Sequence, residues 1–338
     1  MRGVWRVRLG LWERLPTGLL AARRARGRRT LLTGWFSFGR AHATAGDLLS
    51  RELATTWLRR AGHEVDVANL PPFGDGVDWR TVDPGEYDHV VFVCGPFHRQ
   101  PNRMTSLLLK RFAGTRFVGL NVTMVEPLEA WDPFALLWER DSSRTVRPDL
   151  SFLAPIDDVP VIGVCLVEPQ REYAAAANDA AEAAIARLTR SREMAVVEID
   201  TRLDRPQPLR TAAEVAALLA RMDAVVTTRL HGTVLALRAG VPAVVIDPIA
   251  GGEKVWRQAE RLGWPARFRI EDLDDRKLAD ALTWCLTADA REEAVRCRER
   301  AIDALSRLEG EFVERLGGSR HELDGQRYHG SSGPSPAE

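Results

Sequence analysis

The chain has 338 residues, a formal net charge of zero and 45% apolar residues. This length predicts two domains, and the apolar fraction is large enough to build their cores. A net charge of zero provides no general attraction to nucleic acid, and no apolar run is long enough to span a bilayer.

The N-terminal extension, residues 1–29, carries nine arginines and one acidic residue, Glu13. Arg6, Arg8 and Glu13 interrupt the apolar run that a secretory signal requires, so we expect a cytoplasmic protein. Apolar residues among the arginines would suit peripheral contact with a membrane, but Pro16 breaks the helical period and favours a disordered extension. Four cysteines without Cys-x-x-Cys spacing predict a reducing compartment and no metal site.

From Thr30 onward, strands alternate with helices. Continuous apolar runs such as His89–Cys94 and Val161–Val167 are typical of buried parallel strands. Three prolines between residues 148 and 160 mark a boundary, after which the alternation restarts. We therefore predict two Rossmann-like α/β domains, each with a parallel sheet. The predicted divisions are the extension (1–29), an N-terminal α/β domain (30–150), a C-terminal α/β domain (151–316) and a disordered tail (317–338).

The boundaries of these elements follow from apolar periodicity and from glycine and proline. The predicted strands are 31–36, 63–68, 89–94, 116–122, 161–167, 195–199, 224–226 and 241–247. The predicted helices are 48–60, 102–112, 171–190, 212–221, 233–239, 270–286 and 291–315.

The segment around Thr227-Thr228-Arg229-Leu230-His231-Gly232 carries the strongest functional pattern. It follows a predicted strand and precedes a predicted helix, and ligands of open α/β sheets bind at such junctions. A helix N-terminus offers free N–H groups to an anion, and Arg229 and His231 add a cation and a titratable group. An ordinary capping or packing role for His231, and a surface ion pair for Arg229, remain alternatives.

Further along, the pattern continues with an apolar helix, Ala-Gly-Val-Pro, a strand, Asp-Pro and then Lys254. From Met222 to about Pro265, this order resembles the polysaccharide pyruvyl transferase family. The resemblance implies a GT-B-like arrangement, in which two Rossmann-like domains face a cleft. It also implies phosphoenolpyruvate as donor, a saccharide as acceptor, and no cofactor.

A second motif lies in the loop that begins at Gly34. The resembled family carries a glycine-rich loop that ends in Gly-Asp, and Gly46-Asp47 matches that pair, while Thr44 stands in the stretch that replaces the family's asparagine. Asp47 is a candidate to accept a proton from a sugar hydroxyl. Helix capping alone is an equal alternative for an aspartate at this position.

The third motif is Arg140-Asp141, followed by a shortened version of the family's next segment. The resemblance implies that Arg140 is a second anion-binding guanidinium, because arginine matches phosphate or carboxylate with two parallel hydrogen bonds. Without the resemblance, a local salt-bridged turn would be the preferred interpretation.

Together, these motifs predict a pyruvyl transferase that forms a ketal on a sugar of a cell-surface polysaccharide or its precursor. His231 and Asp47 are the predicted catalytic residues, and the predicted phosphoenolpyruvate ligands are Arg229, Arg140, Lys254 and Gly232. The first alternative is a GT-B glycosyltransferase with a nucleotide-sugar donor, for which Asp247 and Glu253 would supply carboxylates. The second is a non-catalytic relative that binds sugar or phosphate.

Overall fold

The computed structural model describes residues 28–39, 43–99, 103–168, 176–204 and 208–316. The predicted extension up to residue 27, the predicted tail and residues 171–175 of a predicted helix lie outside these ranges. The chain divides into unit 1, residues 1–156, and unit 2, residues 157–338. Within the described ranges, every helix is too short or too polar to cross a membrane.

Unit 1 is built on a six-stranded sheet with the order β2-β1-β3-β5-β4, and β6 pairs with β5. Every ladder of this sheet is parallel. Its strands are β1 (Arg28–Gly34), β2 (His63–Val67), β3 (His89–Val93), β4 (Pro96–Phe97), β5 (Arg116–Met124) and β6 (Leu136–Asp141). Its helices are α1 (Ala45–Arg60) and α2 (Arg103–Arg111).

An aromatic cluster forms much of the core of unit 1. Phe97 is fully buried, and its ring centroid lies 4.8 Å from that of Phe92 and 4.8 Å from that of Phe134. Phe117 stacks on Phe134 at 5.3 Å. This packing fixes β3 and β5 side by side, so that their carboxyl ends lie at one edge of the sheet.

Unit 2 has a five-stranded sheet with the order β11-β10-β9-β7-β8, and all of its ladders are parallel. Its strands are β7 (Val161–Cys165), β8 (Ala195–Glu198), β9 (Ala224–Thr227), β10 (Ala243–Asp247) and β11 (Arg267–Arg269). Its helices are α3 (Asn178–Arg190), α4 (Ala212–Leu219), α5 (Leu230–Arg238), α6 (Lys254–Arg261), α7 (Asp275–Cys285) and α8 (Ala288–Leu305).

The two central strands of unit 2 are buried along their whole length. Each residue of β9 and β10 is buried, which explains why they appear in the sequence as continuous apolar runs rather than alternating ones. The prediction of two parallel-sheet α/β domains is therefore confirmed. That the two domains face a cleft stays a prediction.

Several boundaries differ from the predicted ones. Helix α1 begins at Ala45, three residues earlier than predicted, so the Gly46-Asp47 pair lies in its first turn. Helix α5 begins at Leu230, so His231 and Gly232 also lie in a first turn. Strand β6 was not predicted, and it carries Arg140 on an edge of the unit 1 sheet.

Candidate active site

Two threonines fix the segment that follows β9. The Thr227 hydroxyl donates to the carbonyl of Cys165 at 2.8 Å and accepts from the backbone N–H of Arg229 at 3.0 Å. The Thr228 hydroxyl accepts from the N–H of Val167 at 2.8 Å. Both threonines are buried. They join the carboxyl ends of β7 and β9, and thereby hold Arg229 at that edge of the sheet.

Arg229 is oriented by contacts that leave part of its guanidinium available. Its Nε donates to the carbonyl of Leu166 at 3.0 Å, and Nη1 lies 3.5 Å from Oδ1 of Asp200. The side chain is 14% exposed. Among the described residues, Nη2 has no hydrogen-bond partner. The arginine is thus held rigidly, with donors remaining for a ligand.

Helix α5 starts without a side-chain cap. Its N-cap is Arg229, which has no acceptor atom on its side chain and makes no capping hydrogen bond. The first backbone N–H that bonds within the helix belongs to Thr233, which donates to the carbonyl of Arg229 at 3.0 Å. The N–H groups of Leu230, His231 and Gly232 therefore have no acceptor within the helix. Such an N-terminus favours an anion.

The glycine of this motif is required by packing. A Cβ atom at Gly232 would lie 2.3 Å from Oγ1 of Thr227 and 3.0 Å from Sγ of Cys165. Only a glycine lets α5 approach the ends of β7 and β9 this closely. Gly232 is not among the described residues that line the cavity beside it. The absence of a side chain at residue 232 therefore serves the packing of the helix.

One cavity of about 190 Å³ in unit 2 brings three predicted site residues together. Arg229, His231 and Lys254 all line it. His231 is exposed, and Lys254 is the first residue of α6. The cavity therefore combines three groups that can carry positive charge with the uncapped end of α5, and its lining carboxylate, Glu168, pairs with Arg202.

Asn178 also lines this cavity and was missed by the sequence analysis. Its side chain is 7% exposed, and its Oδ1 is buried without a hydrogen-bond partner among the described residues. The N–H of Ala177 donates to the carbonyl of Pro248 at 2.8 Å, which fixes the start of α3 beside the end of β10. The only hint in the sequence was one asparagine at the start of an alanine-rich run, which indicates a helix boundary but not a ligand.

Asp247 organises the loop that leads to Lys254. Its side chain is completely buried, and its two oxygens accept from the N–H groups of Ile249, Glu253 and Trp256 at 3.0, 2.8 and 2.8 Å. These hydrogen bonds occupy the carboxylate. Asp247 is therefore not placed to bind the hydroxyls of a nucleotide sugar, the role that the glycosyltransferase alternative required.

The predicted site residues of unit 1 meet at a different cavity. Thr44, Asp47 and Arg140 line a cavity of about 360 Å³ together with Trp35, Gly95 and Pro96. Asp47 is the third residue of α1, and its Oδ2 accepts from the backbone N–H of Thr44 at 2.7 Å and from the Thr44 hydroxyl at 2.8 Å. It therefore caps the helix and also faces the cavity. Gly46 is not among the described lining residues.

Arg140 is already paired with acidic residues of unit 1. Its Nη1 donates to Asp149 at 2.8 Å, its Nε donates to Asp141 at 3.1 Å, and its Nη2 donates to the Thr123 hydroxyl at 2.5 Å. The hydrogen bond to Asp149 raises the pKa of the guanidinium. Burial raises the pKa of the Asp149 carboxyl, but hydrogen bonds from Arg140, Ser151 and Asn121 outweigh it and hold this pKa at about 2. An anionic ligand would have to compete with these carboxylates.

Solved structures that resemble the chain include several glycosyltransferases. The calicheamicin glycosyltransferase CalG4 is 16% identical, with 86% of this chain and 99% of that chain covered and a TM-score of 0.33. SnogD from Streptomyces nogalater is 18% identical, with 81% and 94% covered and a TM-score of 0.26. The E. coli ADP-heptose lipopolysaccharide heptosyltransferase II is 16% identical, with 77% and 98% covered and a TM-score of 0.23.

No curated protein matches the sequence. A family model gives a match over part of the chain, in a segment that contains Arg229, His231, Gly232 and Asp247 but lies beyond Asp47 and Arg140. Residues 143–248 match the polysaccharide pyruvyl transferase family model, and the resemblance seen from Met222 to about Pro265 is thereby confirmed up to residue 248.

Proposed function

We propose that the protein transfers the pyruvyl unit of phosphoenolpyruvate to a saccharide and forms a ketal. The observation that carries this proposal is the unit 2 cavity, where Arg229, His231 and Lys254 surround the uncapped N-terminus of α5. Two of these residues, Arg229 and His231, lie in the segment that matches the pyruvyl transferase family.

The charges of this cavity suit the proposed donor. Phosphoenolpyruvate carries a phosphate and a carboxylate, so it needs at least two positively charged contacts. Arg229 and Lys254 supply side-chain cations, and the free N–H groups of α5 supply a third contact for oxyanions. Rotation of the Asn178 amide would put Nδ2 in place of the unpartnered Oδ1, where it would donate a hydrogen bond to an oxyanion of the donor.

The reaction requires a proton to reach the methylene carbon of the donor. When that carbon is protonated, the neighbouring carbon becomes electrophilic. Two hydroxyls of the sugar then bond to this second carbon, and its bond to the bridging oxygen of the phosphate breaks. Of the two hydroxyl protons, one balances the new methyl group and the other leaves with phosphate. His231 is exposed in the cavity and is the candidate to deliver and accept protons near neutral pH.

The unit 1 cavity is the candidate for saccharide binding in this proposal. Trp35 offers an aromatic surface, and Asp47 offers a carboxylate oxygen, Oδ1, that is not used in the capping of α1. Aromatic rings and carboxylates are suited to the apolar faces and hydroxyls of sugars. The hydrogen bonds of Arg140 favour a role in orienting Asp141 and Asp149 here over direct contact with the donor.

Thermal unfolding with phosphoenolpyruvate, UDP and GDP at equal concentrations tests the donor. A ligand at one hundred times its Kd stabilises the folded chain by about 2.7 kcal/mol. The proposal predicts that phosphoenolpyruvate raises Tm and that both nucleotides leave it unchanged. Stabilisation by UDP or GDP alone would instead support a glycosyltransferase.

Turnover separates an enzyme from a non-catalytic relative. Phosphate release from phosphoenolpyruvate would be followed with a panel of candidate sugars, and the ketal methyl group of the product would be detected by NMR. Binding of phosphoenolpyruvate without phosphate release from any sugar would support the non-catalytic alternative.

A further inference from the structure

Two arginines of the edge strand β11 pack on one tryptophan of α6. The Cζ atom of Arg269 lies 4.4 Å from the centroid of the Trp256 ring, and that of Arg267 lies 5.0 Å from it. Arg267 and Arg269 are alternate residues of a strand, so they share one face of the sheet. Two positive charges are thus held against a single indole.

Neither guanidinium has a full set of partners. Nη1 of Arg267 donates to the carbonyl of Trp264 at 2.6 Å, but its Nε is buried without an acceptor among the described residues. Nε of Arg269 is likewise buried without an acceptor among the described residues. Native proteins give nearly all buried donors a partner, so two orphaned donors on one face of β11 require an explanation.

Nearby carboxylates are engaged elsewhere. Glu253 lies 3.7 Å from Arg257, and Glu271 accepts from the N–H of Gly251 at 3.0 Å. In the part of the chain that the structure describes, no carboxylate forms an ion pair with Arg267 or Arg269. The charge of this pair is therefore not balanced by the described residues.

The loop before α6 is shaped around the pair. Gly252 has φ +74°, and a Cβ atom there would lie 3.1 Å from both Nε of Arg269 and the Trp256 side chain. Arg269 pairs in register with Asp247 at the carboxyl end of β10. Since β10 lies between β11 and β9, and strands are about 4.8 Å apart, the ends of β9 and β11 are about 10 Å apart. The pair therefore lies on the same sheet edge as the Arg229 cavity.

We propose that Arg267, Trp256 and Arg269 form a second oxyanion site, separate from the Arg229 cavity, that binds a phosphate group. Phosphate at neutral pH carries enough negative charge to balance two guanidinium groups, and its oxygens match the planar N–H pairs of arginine. Trp256 packs against both guanidinium groups. The phosphate is either free or an ester on a saccharide, and the site does not depend on which donor the Arg229 cavity binds.

The test is calorimetry on the full chain carrying Arg229→Ala, so that the first site does not obscure the second. The probes are inorganic phosphate, glucose 1-phosphate and, as the uncharged control, glucose. We expect both phosphates to bind and glucose not to bind. A second substitution in this chain, Arg269→Gln or Arg267→Gln, should weaken binding of both phosphates at least about tenfold. Arg257→Gln on the same helix as Trp256 should leave binding unchanged.

The two phosphates identify the source of the ligand. Tighter binding of glucose 1-phosphate indicates a phosphate ester on a saccharide, and equal binding indicates free phosphate. Absence of saturable binding of either phosphate to the Arg229→Ala chain would overturn the proposal. Equal affinity in the Arg269→Gln chain would overturn it as well.

A second measurement covers variants that fail to fold. In the unaltered chain, the Nε–H groups of Arg267 and Arg269 are buried, so NMR can observe them directly. Titration with glucose 1-phosphate should shift both signals. If the two arginines only pack on Trp256, neither signal will move up to the highest concentration of glucose 1-phosphate used, and the proposal fails.

Discussion

A Cβ atom at Gly232 would lie 2.3 Å from Oγ1 of Thr227, so the backbone of α5 lies directly against the side chain that fixes the preceding loop. The Thr227 hydroxyl is itself bonded to the carbonyl of Cys165. The position of the helix N-terminus, and with it the candidate anion site, therefore depends on the absence of a side chain at residue 232.

Gly232→Ala should consequently lower stability and weaken phosphoenolpyruvate binding together. The added methyl group would force α5 away from β9, and overpacking of this kind costs about 1–3 kcal/mol. Gly46→Ala is the matched control, because its Cβ atom would meet nothing nearer than 3.7 Å. Thermal unfolding and calorimetry would check both variants. A Gly232→Ala chain with unchanged Tm would contradict the packing argument.

Asn178→Leu should separate stability from ligand binding. The buried Oδ1 of Asn178 lacks a partner, and an unsatisfied buried polar atom costs about 1–3 kcal/mol. Leucine has the same branch point and number of side-chain heavy atoms but no polar atom, so the free energy of unfolding should stay equal or rise, while the affinity for phosphoenolpyruvate falls. Denaturant unfolding and calorimetry measure the two quantities. A less stable variant with unchanged affinity would show that Asn178 is purely structural.

Two variants of His231, to alanine and to glutamine, should lose activity to a similar extent if this residue transfers protons. His231→Ala and His231→Gln should both bind phosphoenolpyruvate with modestly altered affinity, and both should lose about 10²–10⁴-fold in turnover. Glutamine keeps a hydrogen-bonding group but cannot exchange a proton at neutral pH. If His231 only orders the loop, glutamine will restore most of the activity, whereas alanine will lower Tm and donor affinity together. Tm, affinity and turnover of both variants decide between these roles.

A histidine pair in unit 1 should make stability depend on pH. The ring centroids of His63 and His89 are 5.6 Å apart, and Nδ1 of His89 is buried without a partner among the described residues. Burial, followed by Arg28 for His63 and by His63 and Arg116 for His89, lowers the pKa of both rings below the ordinary value of 6.5.

Because these pKa values are lowered on folding, the unfolded chain binds protons first as the pH falls through 6.5. The free energy of unfolding should therefore decrease below about pH 6.5. Above that pH, both states are neutral at these residues and no change is expected. Thermal unfolding from pH 5 to 8 checks this slope, and His63→Gln with His89→Gln should reduce it. An unchanged slope in the double variant would contradict the assignment.

The parts of the fold that could be predicted are those with a strong apolar pattern. The Val-rich strands β3 and β9 are buried, and burial on both faces leaves a continuous run that a sequence shows directly. Strands β6 and β11 lie at edges and carry charged residues such as Arg140 and Arg267, so they show no such run. Their presence depends on pairing with distant segments.

The site was predictable where local order defines it. Arg229 and His231 are adjacent to one strand end, and the cavity there includes both. The start of α5 was placed too late, since its N-cap is an arginine and offers no capping signature. The positions of Asn178 and of the group formed by Arg267, Trp256 and Arg269 could not be predicted. Sheet order and register, which the sequence does not show, bring them to the carboxyl ends of the unit 2 strands.

Calorimetric titration of phosphoenolpyruvate into the unaltered chain, Arg229→Lys, Arg229→Ala and Arg238→Ala measures whether Arg229 binds the donor. Arg229 is largely buried beside the cavity, whereas Arg238 is exposed at the last turn of α5 and serves as the control. For the Arg229 cavity, we predict that the free energy of phosphoenolpyruvate binding weakens by about 1.5–3 kcal/mol in Arg229→Ala, weakens less in Arg229→Lys, and does not change in Arg238→Ala. Unchanged binding of phosphoenolpyruvate to Arg229→Ala would show that Arg229 does not bind the donor.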